Sequence, residues 1–233
     1  MTTIALIGPD GAGKTTITRL LQDSGVLPFR YLYMGVNVQA SNVALPTARL
    51  AEWVKRRAGR GGSAAAVPPH VHGARARRRG PLGRAWTAAR LTNRLADAWF
   101  RQLVAWSYEL RGHVVLYDRH FALDFVDAVA ADATEPVERR AYRWALTRLY
   151  PVPDVVIFLD APGAVLYARK GESTPEELER RRQAFLAHGR RLPCFRRVDA
   201  TRPLPEVLAE VTALAVRLAG PGRPARRAEE AVP

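Results

Sequence analysis

The chain has 233 residues, of which 48% are hydrophobic and 25% charged, the balance of an ordinary globular domain and not of a disordered chain, a collagen-like fibre or a small disulfide scaffold. Its single cysteine, Cys194, excludes an intrachain disulfide and a cysteine-based zinc or iron–sulfur centre. The net charge is +14, and it is concentrated: residues 49–111 hold 14 basic against three acidic side chains, a block that attracts polyanions. The longest clean apolar run, Val155 to Leu159, is five residues, against the roughly 20 needed for a membrane helix. No basic segment precedes Ile4–Ile7, so no secretory leader is expected, and a soluble, cytoplasmic protein with no membrane partner is.

In chain order, Thr3 to Ile7 reads as a buried strand running into a glycine-rich turn, and Lys14 to about Asp23 as a helix closed by Ser24-Gly25. Phe29 to Tyr33 is a second strand, and Thr47 to Arg57 a short helix. From Ala58 to Gly83, 20 of 26 residues are Gly, Pro, Ala or Arg, a composition with little to bury, which predicts a linker. A long amphipathic helix follows from about Arg84 to Leu110. Its stripe of Trp86, Leu91, Leu95, Trp99, Leu103 and Trp106 has the spacing of a face packed in the core.

Three further strands are expected, each running into an aspartate: Val114–Tyr117 before Asp118, Asp154–Leu159 ending at Asp160, and Cys194–Val198 before Asp199. Helices fit around 124–131, 136–149, 164–169, 175–188 and 204–218, and Thr174 with Glu177 has the spacing of a capping box. Strands alternating with helices imply an α/β architecture, about five parallel strands with helices on both faces. A single domain over 1–219 and a disordered tail over 220–233 complete the expected organisation.

The residues that carry chemistry begin at Gly8-Pro9-Asp10-Gly11-Ala12-Gly13-Lys14-Thr15, which fits G-x-x-x-x-G-K-[ST] between a predicted strand and a predicted helix. The glycines let backbone N–H groups turn in around phosphates, and the helix start at Lys14, Thr15 and Thr16 adds donors and a favourable dipole. Lys14 can reach the terminal phosphates of ATP, and the Thr15 hydroxyl can ligate Mg²⁺. The second signal is Asp118-Arg119-His120 after an apolar strand. In an open parallel sheet this places a carboxylate beside the phosphate loop. Asp118 is therefore the second candidate for Mg²⁺, and Arg119 for a phosphate clamp. Asp124 and Asp127 stand just beyond, while His70 and His72 in the linker show no wider metal-ligand pattern.

The loop 8–16, Arg111-Gly112-His113-Val114-Val115 leading into Asp118-Arg119-His120, Phe158-Leu159-Asp160-Ala161-Pro162, and Val198 to Leu204 together resemble the thymidylate kinase and thymidylate kinase-like group of P-loop nucleoside monophosphate kinases. The resemblance covers residues 1–33 and 110–218. It implies a three-layer P-loop NTPase fold, Mg²⁺ and ATP, and transfer to a nucleoside monophosphate, dTMP giving dTDP. Asp10 would face the acceptor sugar hydroxyl and Arg119 would grip the acceptor phosphate. A mobile lid over 169–182 would bring in Arg169 first, with Arg180 and Arg182 behind it, and the loop bearing Thr201 and Pro203 would cup the adenine. A homodimer is also implied, for which the Trp-rich helix 84–110 offers an apolar face; a monomer is equally compatible with the sequence. After the Asp-Arg pair the chain reads Phe121-Ala122-Leu123-Asp124-Phe125 instead of the family's serine-containing stretch. The acceptor is accordingly dTMP, another nucleotide or a small biosynthetic metabolite. A P-loop module binding nucleic acid through the basic block is a reading of another class, disfavoured because the linker lacks interleaved aromatics.

Overall fold

The computed structural model describes residues 2–35, 41–57, 81–121 and 137–219. Most of the expected linker, the helix expected around 124–131, Asp124, Asp127, His70, His72 and the tail lie outside the described residues. The strands are β1 (Thr2–Ile7), β2 (Phe29–Tyr33), β3 (Val114–Asp118), β4 (Val155–Asp160) and β5 (Phe195–Asp199). The helices are α1 (Lys14–Asp23), α2 (Pro46–Arg57), α3 (Pro81–Leu110), α4 (Val137–Arg148), α5 (Gly163–Lys170), α6 (Pro175–Gly189) and α7 (Leu204–Ala219).

All strand pairs are parallel, in the order β2-β3-β1-β4-β5. β1, β3 and β4 are buried along their whole length, as continuous apolar runs in a parallel sheet must be. Alternate residues then face opposite layers. Ile4 and Leu6 pack with Ile17 and Leu21 of α1, Leu166 of α5 and Val207 and Val211 of α7. Ala5 and Ile7 pack with Ala98 and Ala105 of α3 and Tyr142 and Leu146 of α4. The chain is thus an α/β protein, a five-stranded all-parallel sheet flanked by helices. No helix of the described residues is long and apolar enough to cross a membrane.

Asp118, Asp160 and Asp199 are the last residues of β3, β4 and β5, and Asp118 stands level with Leu6, two residues before Gly8. Because successive crossovers pass on either side of the central β1, the carboxyl ends of β1, β3 and β4 meet the turn at Gly8 where open α/β sheets leave a crevice.

Two expectations change at α3. The helix starts at Pro81 and not near Arg84, so residues 81–83 belong to it and not to the linker; proline is suited to a first helical position, where its missing N–H is not needed. The aromatic stripe is also only partly core. Leu91 and Leu95 pack against the buried cluster, and Trp99 lies 5.7 Å from the Tyr150 ring. Leu103 is 57% exposed, Trp106 38% and Leu110 74%, because the face of α3 that is buried is the one carrying Ala98, Arg101, Gln102 and Ala105, and these three lie beside it. At α6, only half of the capping box forms. The Thr174 hydroxyl accepts from the Glu177 N–H, while the Glu177 carboxylate is taken by Arg180 and Arg181.

Candidate functional site

The turn after β1 is shaped by close approach. Gly11 has φ +87°, and a Cβ there would lie 2.6 Å from the Leu166 carbonyl oxygen of α5, so both the backbone conformation and the space call for glycine. Gly13, also at φ +87°, caps α1 with no side-chain partner. No acidic side chain enters the first turn of α1, whose leading N–H groups lie beyond the reach of helical carbonyls. Ala12 is buried in the turn and donates its N–H to the Pro9 carbonyl at 3.3 Å.

Lys14 is almost wholly buried, and its Nζ donates to the carbonyl oxygens of Gly8 and Pro9, each at 2.8 Å. The ammonium is thus held over the loop it belongs to. Thr15 donates its hydroxyl to Asp118 Oδ2 at 2.9 Å, joining the start of α1 to the end of β3 across 103 residues. Tyr31 Oη donates to the same oxygen at 3.3 Å. The Thr15 hydroxyl and the Asp118 carboxylate are hard oxygen donors of the type a small divalent cation takes. Among the described residues no cluster of three or more His, Cys, Asp or Glu gathers. The donor set therefore suits a cation whose remaining ligands are waters and phosphate oxygens, the usual manner of Mg²⁺.

Arg119 adopts φ +68°, a left-handed conformation rare for a residue with a side chain. Its N–H bonds the Leu6 carbonyl, and its guanidinium donates to Asp10 Oδ1 at 2.6 Å. Strain of this kind, about 1–2 kcal/mol, is characteristic of functional turns. Arg181 of α6 stands on the other oxygen of Asp10 at 3.5 Å. Burial opposes ionisation of Asp10, but the charges of Lys14 and Arg119 outweigh it and hold the carboxyl below its ordinary value. The Tyr33 hydroxyl and the Arg119 stem both lie against Gly35 just beyond β2.

The remaining expected residues fall into two groups. Arg169 of α5 donates to the Ala200 carbonyl at 2.9 Å, which ties it to the loop carrying Thr201 and Pro203. There the Thr201 N–H and hydroxyl both bond Asp199 Oδ1, and the Pro203 carbonyl receives the first N–H groups of α7. Arg182 goes elsewhere. It forks onto Asp160 at 2.5 and 3.2 Å and reaches Glu179 at 2.7 Å. Glu179 in turn accepts the Gly163 N–H. α6 is thereby fastened to β4 and to the start of α5, and Arg180 pairs with Glu177 on the outer face. The arginine of the triplet that stands at Asp10 in the turn after β1 is Arg181, the one not singled out from sequence, and Tyr31 was likewise not singled out.

His120 is fully buried between Tyr117 and Tyr150, with ring centroids 5.6 Å away on each side. Among the described residues neither of its ring nitrogens has a hydrogen-bond partner. Burial pushes its pKa down to about 3, whereas an unfolded histidine titrates near about 6.5. Between those values the unfolded chain binds the proton and the folded chain does not. Stability is therefore full above about pH 6.5 and falls as the pH is lowered, by up to about 1.4 kcal/mol per unit. His188 is shifted in the same direction, by burial and by Arg191, so the comparison must be with a variant. In urea unfolding, His120→Leu is expected to lose clearly less stability than wild type between pH 7 and pH 5, and equal losses would refute the assignment.

No protein-family model matches this chain, and no curated protein sequence matches it.

Proposed function

We propose that the protein is an ATP-dependent phosphotransferase with a P-loop NTPase fold, a nucleoside monophosphate kinase of the thymidylate kinase type that converts ATP and dTMP to ADP and dTDP. The observation that carries the reading is the Thr15–Asp118 hydrogen bond. It brings the hydroxyl of the phosphate-loop motif and the strand-ending carboxylate to one point, with Lys14 on the neighbouring carbonyls.

In this reading the N–H groups of Gly11, Gly13, Lys14, Thr15 and Thr16 receive the ATP phosphates at the positive end of α1, with Ala12 holding the turn through its bond to Pro9. Thr15 and Asp118 hold Mg²⁺, which when bound neutralises charge on the phosphate oxygens. Lys14 exchanges the carbonyls of Gly8 and Pro9 for phosphate oxygens. Arg119 and Arg181 exchange the Asp10 carboxylate for anionic oxygens of the acceptor and of the transferred group. Asp10, freed from them, is the acceptor for a hydroxyl proton on the acceptor's sugar. Arg169, with Thr201 and Pro203, borders the adenine. The work is positioning and charge neutralisation, which is most of what phosphoryl transfer needs.

The deciding assay is ADP release from Mg·ATP across dTMP, dUMP, other nucleoside monophosphates, sugars and sugar phosphates. Preference for dTMP supports the reading as stated. Preference for another acceptor keeps the kinase and replaces the substrate, and absence of ADP release with every acceptor overturns it.

Arg181, which takes the place expected of Arg180, separates from Arg169 and Arg182 by its partners. Arg181→Ala is expected to lower turnover about tenfold or more with ADP affinity little changed, since its contact grows as charge moves onto the transferred group. Arg182→Ala is expected to lower stability by about 1–3 kcal/mol, because Asp160, 3% exposed, keeps only Arg197 at 2.6 Å as its charged partner. Arg169→Ala is expected to weaken ADP binding, its bond to Ala200 being a support of the adenine loop. Kinetics and thermal unfolding on the three variants check the assignment.

A further inference from the structure

We infer that Tyr31 is a positioning residue for the cation site, fixing the rotation of the Asp118 carboxylate so that it presents the same oxygen to a nucleotide-bound Mg²⁺ in every cycle. The inference rests on the kinase reading above and adds to it a residue from the edge strand of the sheet.

Tyr31 lies on β2, in register with Leu116, while Tyr33 is level with Asp118. Its half-buried side chain sets Oη 3.3 Å from Asp118 Oδ2, the oxygen that also receives the Thr15 hydroxyl at 2.9 Å. Asp118 itself is buried. With two hydroxyl donors converging on Oδ2, Oδ1 is assigned to the cation. A carboxylate held at one oxygen from two directions cannot swing about its Cβ–Cγ bond without breaking both.

The two donors differ in one respect. The Thr15 hydroxyl oxygen is itself a candidate cation ligand, so its geometry changes when nucleotide binds. Tyr31 has no such second task, which makes it the constant half of the pair. Its backbone is pinned as well: the Asn42 side chain donates to the Tyr31 carbonyl at 2.9 Å and accepts the Tyr33 N–H at 3.0 Å. The free edge of the sheet is closed at the residue that carries the phenol.

The test is calorimetric titration with ADP, in Mg²⁺ and in EDTA, on wild type, Tyr31→Phe, Asp118→Asn and the double variant. Tyr31→Phe is expected to weaken Mg·ADP binding by about 3- to 10-fold, the range of one lost hydrogen bond, and to leave metal-free ADP binding unchanged. In the Asp118→Asn background the same substitution is expected to add nothing, since its effect passes through that carboxylate. Equal weakening with and without Mg²⁺, additivity in the Asp118→Asn background, or no change at all would overturn the inference. If Tyr31→Phe does not keep the wild-type thermal midpoint, Tyr31→Met, which also lacks a donor, carries the same comparison. A wild-type protein that binds ADP no better with Mg²⁺ than without would overturn the kinase reading itself, and this inference with it. A wild-type protein that does, with Tyr31→Phe indistinguishable from it, overturns the role of Tyr31 alone.

Discussion

A Lys14→Ala protein is expected to fold and to release ADP from Mg·ATP, in the presence of the preferred acceptor, at no more than about one-hundredth of the wild-type rate. The basis is where the ammonium sits. Lys14 Nζ is buried and donates to two carbonyl oxygens of the loop at 2.8 Å each, so its desolvation and its orientation are already met by the fold. A cation held in this way costs little to redirect onto a phosphate oxygen, and in a water-poor setting it is worth several kcal/mol to a transition state that spreads charge over those oxygens. Alanine removes the cation and also two charge-assisted hydrogen bonds, so a stability loss of about 1–3 kcal/mol accompanies the kinetic effect. Lys14→Met keeps the apolar stem but restores neither the cation nor its two hydrogen bonds, so its turnover is expected to stay at the alanine level while only the part of the stability loss due to packing is recovered. Turnover near wild type in a folded variant would remove Lys14 from the mechanism, and the phosphate-loop reading would have to rest on backbone donors alone.

The parts of this molecule that are legible in its sequence are those that local chemistry decides. β1, β3 and β4 are apolar runs ended by glycine or aspartate. In a sheet covered on both faces such a run has no other use, so their positions follow from composition alone. The glycines of the turn are legible because Gly11 and Gly13 both take a positive φ that side chains avoid. The arginine triplet is not legible in this way. Adjacent helical residues point about 100° apart, so Arg180, Arg181 and Arg182 must face three different surroundings. They meet Glu177, the Asp10–Glu177 pair, and Asp160 with Glu179. Which of them stands at Asp10 depends on the rotation of α6, and that is set by Leu178 in the core and by the close approach of Gly163 to Pro175. A general pattern search could have flagged the spacing of Leu178 to Arg181, but not the partner. Tyr31 and the Asp97–Arg101 pair were missed for a related reason: their partners lie on other elements 87 and 52 to 68 residues away.

That last pair governs the largest stability effect expected in the chain. Arg101 is 1% exposed and Asp97 3%, and they form an ion pair one helical turn apart on α3. Each also holds backbone from elsewhere. Arg101 Nη1 donates to the Gly35 carbonyl at 2.9 Å and the Tyr33 carbonyl at 3.4 Å, and Asp97 Oδ1 accepts the Leu45 N–H at 2.8 Å. Arg101→Met strands a buried carboxylate without its counter-charge and frees two carbonyls, so a loss of about 3–5 kcal/mol is expected. Replacing both residues, as Asp97→Leu with Arg101→Met, removes the stranded charge, yet the Leu45 N–H and the carbonyls of Gly35 and Tyr33 still lose their partners. The double variant is therefore expected to be more stable than the single one but short of wild type by about 1–3 kcal/mol. Urea unfolding of wild type and the two variants measures this directly. A single variant within about 1 kcal/mol of wild type, or a double variant no better than the single one, would contradict the account. Because Gly35 lies against the Arg119 stem and the Tyr33 hydroxyl, the same loosening reaches the acceptor side of the crevice. In the double variant the KM for the acceptor is expected to rise while that for ATP stays near wild type, since the pair's hydrogen bonds to backbone go to Tyr33, Gly35 and Leu45.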